Sequence, residues 1–206
     1  MRIFVKRLVM LALGGWVVVA AGCAGSPPTR FYVLTPVAGM EASDPAVPVK
    51  DGIAVGIRRV ALPDYLDRPQ IVTRSSPNTL DLAEFDRWAA PLGEAFPRML
   101  AENLAGMIPS DRVTVFPWLR SVQPDYEVTV EVTRFEGRLG SECALVARWT
   151  VIGGERKVPV ATGTSRLRES AGGDYEALVA AQSRLIGALS REIAVAVKAI
   201  PREGTQ

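Results

Sequence analysis

The sequence predicts an α/β domain, or the α+β arrangement of the same parts, built as a mixed sheet of about six to eight strands with two main helices packed on it. Two stretches carry apolar residues at helical spacing, one from Leu92 to Ile108 and one from Tyr175 to Ile200. Around them lie short runs of β-branched and aromatic residues, which suit a pleated, half-buried surface. Each helix adjoins a group of strands, an order that fits helices covering one face of a sheet.

In chain order, Phe31-Tyr32-Val33-Leu34 reads as the first strand. Pro36, Pro45 and Pro48, with Gly39 and Gly52, mark residues 36–52 as a long surface loop. Ile53 to Val60 gives the second strand and Gln70 to Arg74 the third. Thr79 to Phe85 returns across the turn signal Ser75-Ser76-Pro77-Asn78. Pro91 suits a first helical turn, and the stripe Leu92, Phe96, Met99, Leu100, Leu104, Met107 and Ile108 follows it. Pro97 lies inside that stripe, where it removes a hydrogen bond and tends to kink the axis, so a start later than Pro91 is the alternative. Arg112 to Phe116 is a short strand stopped by Pro117-Trp118.

Tyr126, Val128, Val130 and Val132 then alternate with Glu127, Thr129, Glu131 and Thr133, the pattern of a strand with one face in water. Phe135 breaks the phase and marks a bulge or the strand's end. Ala144 to Ile152 is more apolar, Gly153-Gly154 is a hairpin signal, and Lys157 to Arg168 runs back. Asp174 is the expected N-cap of the last helix, whose stripe is Tyr175, Leu178, Gln182, Leu185, Leu189, Ile193, Val197 and Ile200. Pro201 stops it.

Ahead of the domain, Arg2, Lys6 and Arg7 precede an uncharged run from Leu8 to Ala21 and the small residues Ala20-Ala21-Gly22. This is the layout of a secretory signal peptide, and the run is short of the roughly 18–20 residues of a permanent span. Small residues ending in Gly-Cys resemble a bacterial lipobox, which implies cleavage before Cys23 and acylation of its thiol and new amine. Ala24, in place of an aspartate, implies sorting to the outer membrane. The chain is thus divided into a leader (1–22), a lipidated tether (23–29), one domain (30–201) and a tail (202–206). Removing the leader takes three cations and no acids, so a net charge of +2 becomes −1 from Cys23 onward. The remaining basic residues are scattered among acids, which argues against a nucleic-acid partner. Cys143 is then the one unmodified cysteine, placed at the head of an apolar run as a buried thiol.

The chain has no histidine, which removes the commonest general base and metal ligand. No Gly-x-Ser-x-Gly elbow or phosphate-binding glycine loop occurs. No catalytic residue, metal or cofactor is assigned, and a binder or assembly part is expected in place of an enzyme.

One stretch concentrates chemistry: Leu62, Pro63, Asp64, Tyr65, Leu66, Asp67, Arg68, Pro69 and Gln70 join the second strand to the third. Two prolines stiffen it. Two readings stand side by side, a well-made loop with internal Asp–Arg pairing and a surface that contacts a neighbour or partner.

The lipobox, Phe31-Tyr32-Val33-Leu34, the run from Val60 to Arg74, Arg87-Trp88, Leu100-Ala101-Glu102-Asn103-Leu104, Pro117-Trp118 and Leu189-Ser190-Arg191-Glu192 together resemble the PqiC/YmbA family of transport-auxiliary lipoproteins. The resemblance spans essentially the whole chain after Cys23. It implies a non-catalytic outer-membrane lipoprotein that faces the periplasm, held in outer-membrane lipid by acylated Cys23 and assembled as a homo-oligomeric ring. It further implies an MCE-domain transport protein as partner in an ABC-type intermembrane lipid transport system that supports envelope integrity. The alternatives are a periplasmic lipid-binding lipoprotein and a structural lipoprotein that aids another outer-membrane assembly.

Overall fold

A computed structural model describes residues 26–37, 52–108, 112–118, 123–153 and 157–201. The leader, Cys23, most of the loop read at 36–52 and the tail lie outside these residues. The order of elements is β1 (Arg30–Tyr32), β2 (Val55–Ala61), a 3-10 turn (Asp64–Leu66), β3 (Gln70–Ser76), β4 (Thr79–Trp88), α1 (Leu92–Met107), β5 (Val113–Val115), β6 (Tyr126–Gly137), β7 (Glu142–Gly153), β8 (Val158–Ser170) and α2 (Tyr175–Ala199).

The eight strands form one mixed sheet, as the alternating runs predict, and β6 is its spine. One edge of β6 pairs antiparallel with β7 from Tyr126–Gly153 to Gly137–Cys143, and β8 continues that meander. Two strands share the other edge. β2 runs parallel to β6 from Val55–Tyr126 to Ala61–Glu131, and β3 rejoins it at the single pair Thr73–Gly137. The sheet therefore forks. One branch passes from β2 to β5, and the other from β3 through β4 to β1. Between the two branches, β6 shifts register between Val132 and Arg134, which is the bulge that the phase break at Phe135 predicts.

Both helices cover one face. α1 packs on β2 and β5, α2 packs on β6, β7 and β8, and the two helices meet. Phe96 from α1 and Phe135 from β6 are fully buried and meet edge to face with ring centroids 5.2 Å apart. α1 begins where Pro91 predicts, with Pro91 O accepting from Glu94 N at 2.9 Å and Ala95 N at 3.0 Å. The alternative of a later start does not hold. Pro97 removes the helical donor of the Gly93 carbonyl, and Gly93 is exposed. Asp174 caps α2 as expected, its Oδ1 accepting from Ala177 N at 2.8 Å.

α2 is about 37 Å long for its 25 residues. It is buried around a wider arc than its apolar stripe predicts, with Ser183, Ile186, Gly187 and Ser190 also enclosed. The cause is the segment after β1, which leaves the sheet at Val33 and crosses the helix. Thr35 N donates to Ser183 Oγ at 3.2 Å, and a Cβ at Gly187 would sit 2.3 Å from Val37 Cγ2. The first strand is therefore shorter than the run Phe31–Leu34 predicts. Every core member among the described residues lies between Tyr32 and Ile200, so the chain from Ser26 onward contains the whole of this core.

Glycine has a packing role where Trp149 of β7 faces Gly163 of β8. A Cβ at position 163 would lie 2.2 Å from Trp149 Cζ2. The indole is buried over this gap and donates from Nε1 to Ser165 Oγ at 3.0 Å, and Ser165 Oγ in turn donates to Glu192 of α2. Gly163→Val is expected to lower stability by about 1–3 kcal/mol through overpacking. An unchanged thermal midpoint and unchanged tryptophan emission would sink this account.

Candidate functional site: the connector at the fork

The stretch from Leu62 to Gln70 occupies the gap between the two branches. Pro63 sits at φ −60° and its carbonyl accepts from Leu66 N at 2.9 Å, while Asp64 O accepts from Asp67 N at 3.1 Å. These bonds wind Asp64–Leu66 into the 3-10 turn. Arg68 N then closes on Leu66 O at 2.9 Å, and Pro69 O accepts from Trp88 N at 2.7 Å, which fastens the connector to β4.

The turn sorts its side chains. Leu66 is buried in the core and Tyr65 is half-buried, its hydroxyl donating to Glu136 Oε2 at 2.8 Å. Asp64, Asp67 and Pro69 are exposed. The internal Asp–Arg pairing considered for this loop does not form: neither aspartate meets Arg68, whose Nε is buried without a protein acceptor. The turn points both carboxylates to water, so stiffness comes from backbone bonds and from Tyr65.

Glu136 is the residue that sequence reading missed. It is fully buried on β6, and its two oxygens receive four donors. Arg74 Nε of β3 donates to Oε1 at 2.7 Å and Arg134 Nε at 3.0 Å. Tyr65 and the Phe135 backbone N–H, at 3.1 Å, supply Oε2. A buried carboxylate costs several kcal/mol to desolvate unless it is paired and hydrogen-bonded, and here both conditions hold. The cluster ties the connector, the β3 branch and the spine to one atom group. A trace of it is visible in the sequence, since Arg134-Phe135-Glu136 places charge on both sides of the residue that breaks the alternation.

Burial pushes the Tyr65 hydroxyl up to about 12, reinforced by its hydrogen bond to Glu136 and that residue's charge, with Arg74 opposing. The hydrogen bond to Glu136 raises Arg74 as well. Burial lifts the Cys143 thiol to about 12, with the Glu136 charge adding to it, so this cysteine is an inert core group, free and fully enclosed. A tyrosine raised from 10 favours the fold while protonated. Its contribution is whole below pH 10 and is lost as pH climbs through about 12. Stability is therefore expected to fall between pH 10 and 12, and Tyr65→Phe to flatten part of that fall. A denaturation midpoint with the same alkaline slope in both proteins would count against this role for Tyr65.

A second polar cluster departs from the half-wet pattern of β6, which holds at exposed Glu131 and Thr133, at one position. Glu127 is buried, not solvated, because Arg58 Nη1 of β2 reaches it at 2.6 Å and Lys157 Nζ at 3.5 Å. Among the described residues no group of three or more Asp, Glu, His or Cys is placed to hold a metal, and no helix is long and apolar enough to cross a membrane.

A forked mixed sheet with two helices on one face defines a class of α/β domain already seen in crystals. One crystal structure of a protein of uncharacterised function is similar with a TM-score of 0.67 at 22% identity, covering 83% of this chain and 99% of that one. A protein from Xanthomonas campestris is similar with a TM-score of 0.62 at 18% identity, covering 82% and 97%. The chain belongs to the family of ABC-type transport auxiliary lipoprotein components, whose family model matches residues 32–194. It is 27% identical over 129 residues to the intermembrane transport lipoprotein PqiC of Escherichia coli K12, and equally to that of Shigella flexneri. The aligned part is 63% of this chain and 66% of each relative.

Proposed function

We propose that the protein is a non-catalytic auxiliary subunit of an MCE/ABC-type intermembrane lipid transport system, acylated at Cys23 and carried on the periplasmic face of the outer membrane. One observation carries this reading: the family match runs through the whole folded domain, and the curated relatives are named for intermembrane transport. The chain divides as leader 1–22, tether 23–29, a single domain 30–201 and tail 202–206. Copies assemble into a ring that receives the end of an MCE-protein tube.

Within this proposal, the exposed part of the connector is the contact surface for a neighbour or the tube, namely Asp64, Asp67 and Pro69 with the half-buried Pro63, Arg68 and Gln70. Leu62 and Tyr65 pack from the same stretch toward the core, and Leu66 lies within it. The test is capture of an MCE-domain protein from envelope extracts by the acylated protein. Asp64→Arg with Asp67→Arg is expected to abolish capture while leaving the thermal midpoint in place, and undiminished capture would remove the connector from the interface. Light scattering of the acyl-free domain reports the ring separately. A monomer carrying co-purified phospholipid would favour the lipid-binding alternative instead.

A further inference from the structure

No helix among the described residues lies on the face of the sheet opposite α1 and α2, and polar side chains cross it among the apolar Ala61, Val146 and Ile152. β2 shifts register between Ile57 and Arg59, so two consecutive arginines, Arg58 and Arg59, are both exposed. Arg59 stands beside Thr129 of β6, which stands beside Thr150 of β7 and then Thr162 of β8. This row crosses four strands. A shallow cleft of about 350 Å³ opens along it, lined by Arg59, Thr129, Glu131, Arg148 and Thr150 together with the apolar Ala61 and Val130.

The charges on this face do not balance. Glu127 is shared by Arg58 and Lys157, and Glu136 by Arg74 and Arg134. Arg148 with Glu131 at 3.7 Å and Arg168 with Glu142 at 2.6 Å are one to one. Arg59 and Arg166 are exposed and, among the described residues, meet no carboxylate within ion-pair distance. The face thus has a surplus of cations, although the chain from Cys23 onward has a net charge of −1. The compensating acids lie elsewhere, among them Glu94, Asp174 and Glu176 on the helical side.

We propose that this face is where the domain lies on an anionic phospholipid surface. Guanidinium groups bind phosphate oxygens in a planar, two-pronged fashion, and the threonine hydroxyls between them offer further donors. The choice of a bilayer over another anionic partner rests on the acylation proposed for Cys23. Only six residues separate Cys23 from Arg30, a reach of about 25 Å over seven Cα–Cα steps at full extension, so the anchor holds the domain beside a lipid surface. A tether of that reach lets the face approach within the Debye length, about 8 Å at physiological salt, over which anionic headgroups attract it.

The test is co-sedimentation of the domain from residue 26 onward with vesicles of phosphatidylethanolamine and phosphatidylglycerol, against vesicles of phosphatidylcholine. Binding is expected to the anionic vesicles alone and to weaken as salt is added. Arg59→Gln and Arg166→Gln are each expected to weaken it about fivefold. Both residues are exposed and, among the described residues, unpaired, so their thermal midpoints should not move. Arg191→Gln with Lys198→Gln, exposed on α2, should bind as the parent does. Equal binding to neutral vesicles, no binding at all, or full binding by Arg59→Gln/Arg166→Gln would overturn the proposal. Capture of polyglutamate without vesicle binding would assign the face to an acidic protein and overturn it too. The domain used lacks Cys23, so none of these results depends on acylation, which the mass of the Cys23 peptide reports independently.

Discussion

Glu136→Ala is expected to lower the stability of the domain by about 3–5 kcal/mol, read as a large drop in urea midpoint at an unchanged slope. The magnitude follows from what the carboxylate holds. Arg74 and Arg134 would both lose the partner that they share, Tyr65 would lose its acceptor, and a fully buried volume would be left on the spine of the sheet. Arg74 is the more enclosed of the two arginines, with 23% of its side chain exposed against 38%, so it should suffer most. That gives a control. If the loss comes from stranded positive charge, Arg74→Met placed on Glu136→Ala should recover part of it, since buried ion pairs can be replaced by apolar groups at little cost. A single substitution costing under about 1 kcal/mol, or no recovery in the double variant, would show that the cluster is not what closes the fork.

Phe135→Ala, one residue away, should cost about 3–5 kcal/mol by a different route. Its ring points to the helical face, where it is fully buried and meets Phe96. Deletion leaves a cavity between α1 and the sheet, and the edge-to-face contact adds about 0.5–1.5 kcal/mol beyond the area lost. Salt separates the two variants. The Glu136→Ala loss should change with ionic strength, because two cations become partly solvated, and the Phe135→Ala loss should not. Identical salt responses would argue that one mechanism underlies both.

The two residues also show what the sequence could reveal. Strand identities were legible because β-branched and aromatic runs report burial on a pleated surface, and Asp174 and Pro91 announced the helix starts through local chemistry that needs no tertiary contact. Glu136 and Glu127 were opaque for a complementary reason. An acidic residue in an alternating strand reads as solvated, and only long-range partners from β2, β3 and the connector show that it is enclosed. Likewise, the wide burial of α2 depends on a segment some 150 residues away in the chain, the Thr35–Ser183 separation being 148, which no periodicity can encode. The connector was the most conspicuous stretch of the sequence, and its two prolines announced an irregular segment between β2 and β3. Its hydrogen-bonding was not legible, because Tyr65 turns to Glu136 while Asp64 and Asp67 turn to water.

The forked sheet also sets how the domain should yield under load. Tension arriving through residues 26–29 enters at β1, which is held to β4 by three residue pairs, by Ala89 N on Tyr32 O at 2.9 Å, and by Tyr32 and Arg30 on Asp86 at 2.7 and 3.0 Å. One route from there runs through the β4–β3 hairpin and reaches the spine through the backbone pair Thr73–Gly137, the Glu136 cluster and Arg138 on the carbonyls of Arg74 and Ser75. A second runs through Thr35 to Ser183 of α2. The β7–β8 hairpin, paired to β6 along the far edge, meets the first of these only after the spine. The domain is thus mechanically graded: a yielding branch next to the tether, a weld at Glu136, and a stiff plate behind it.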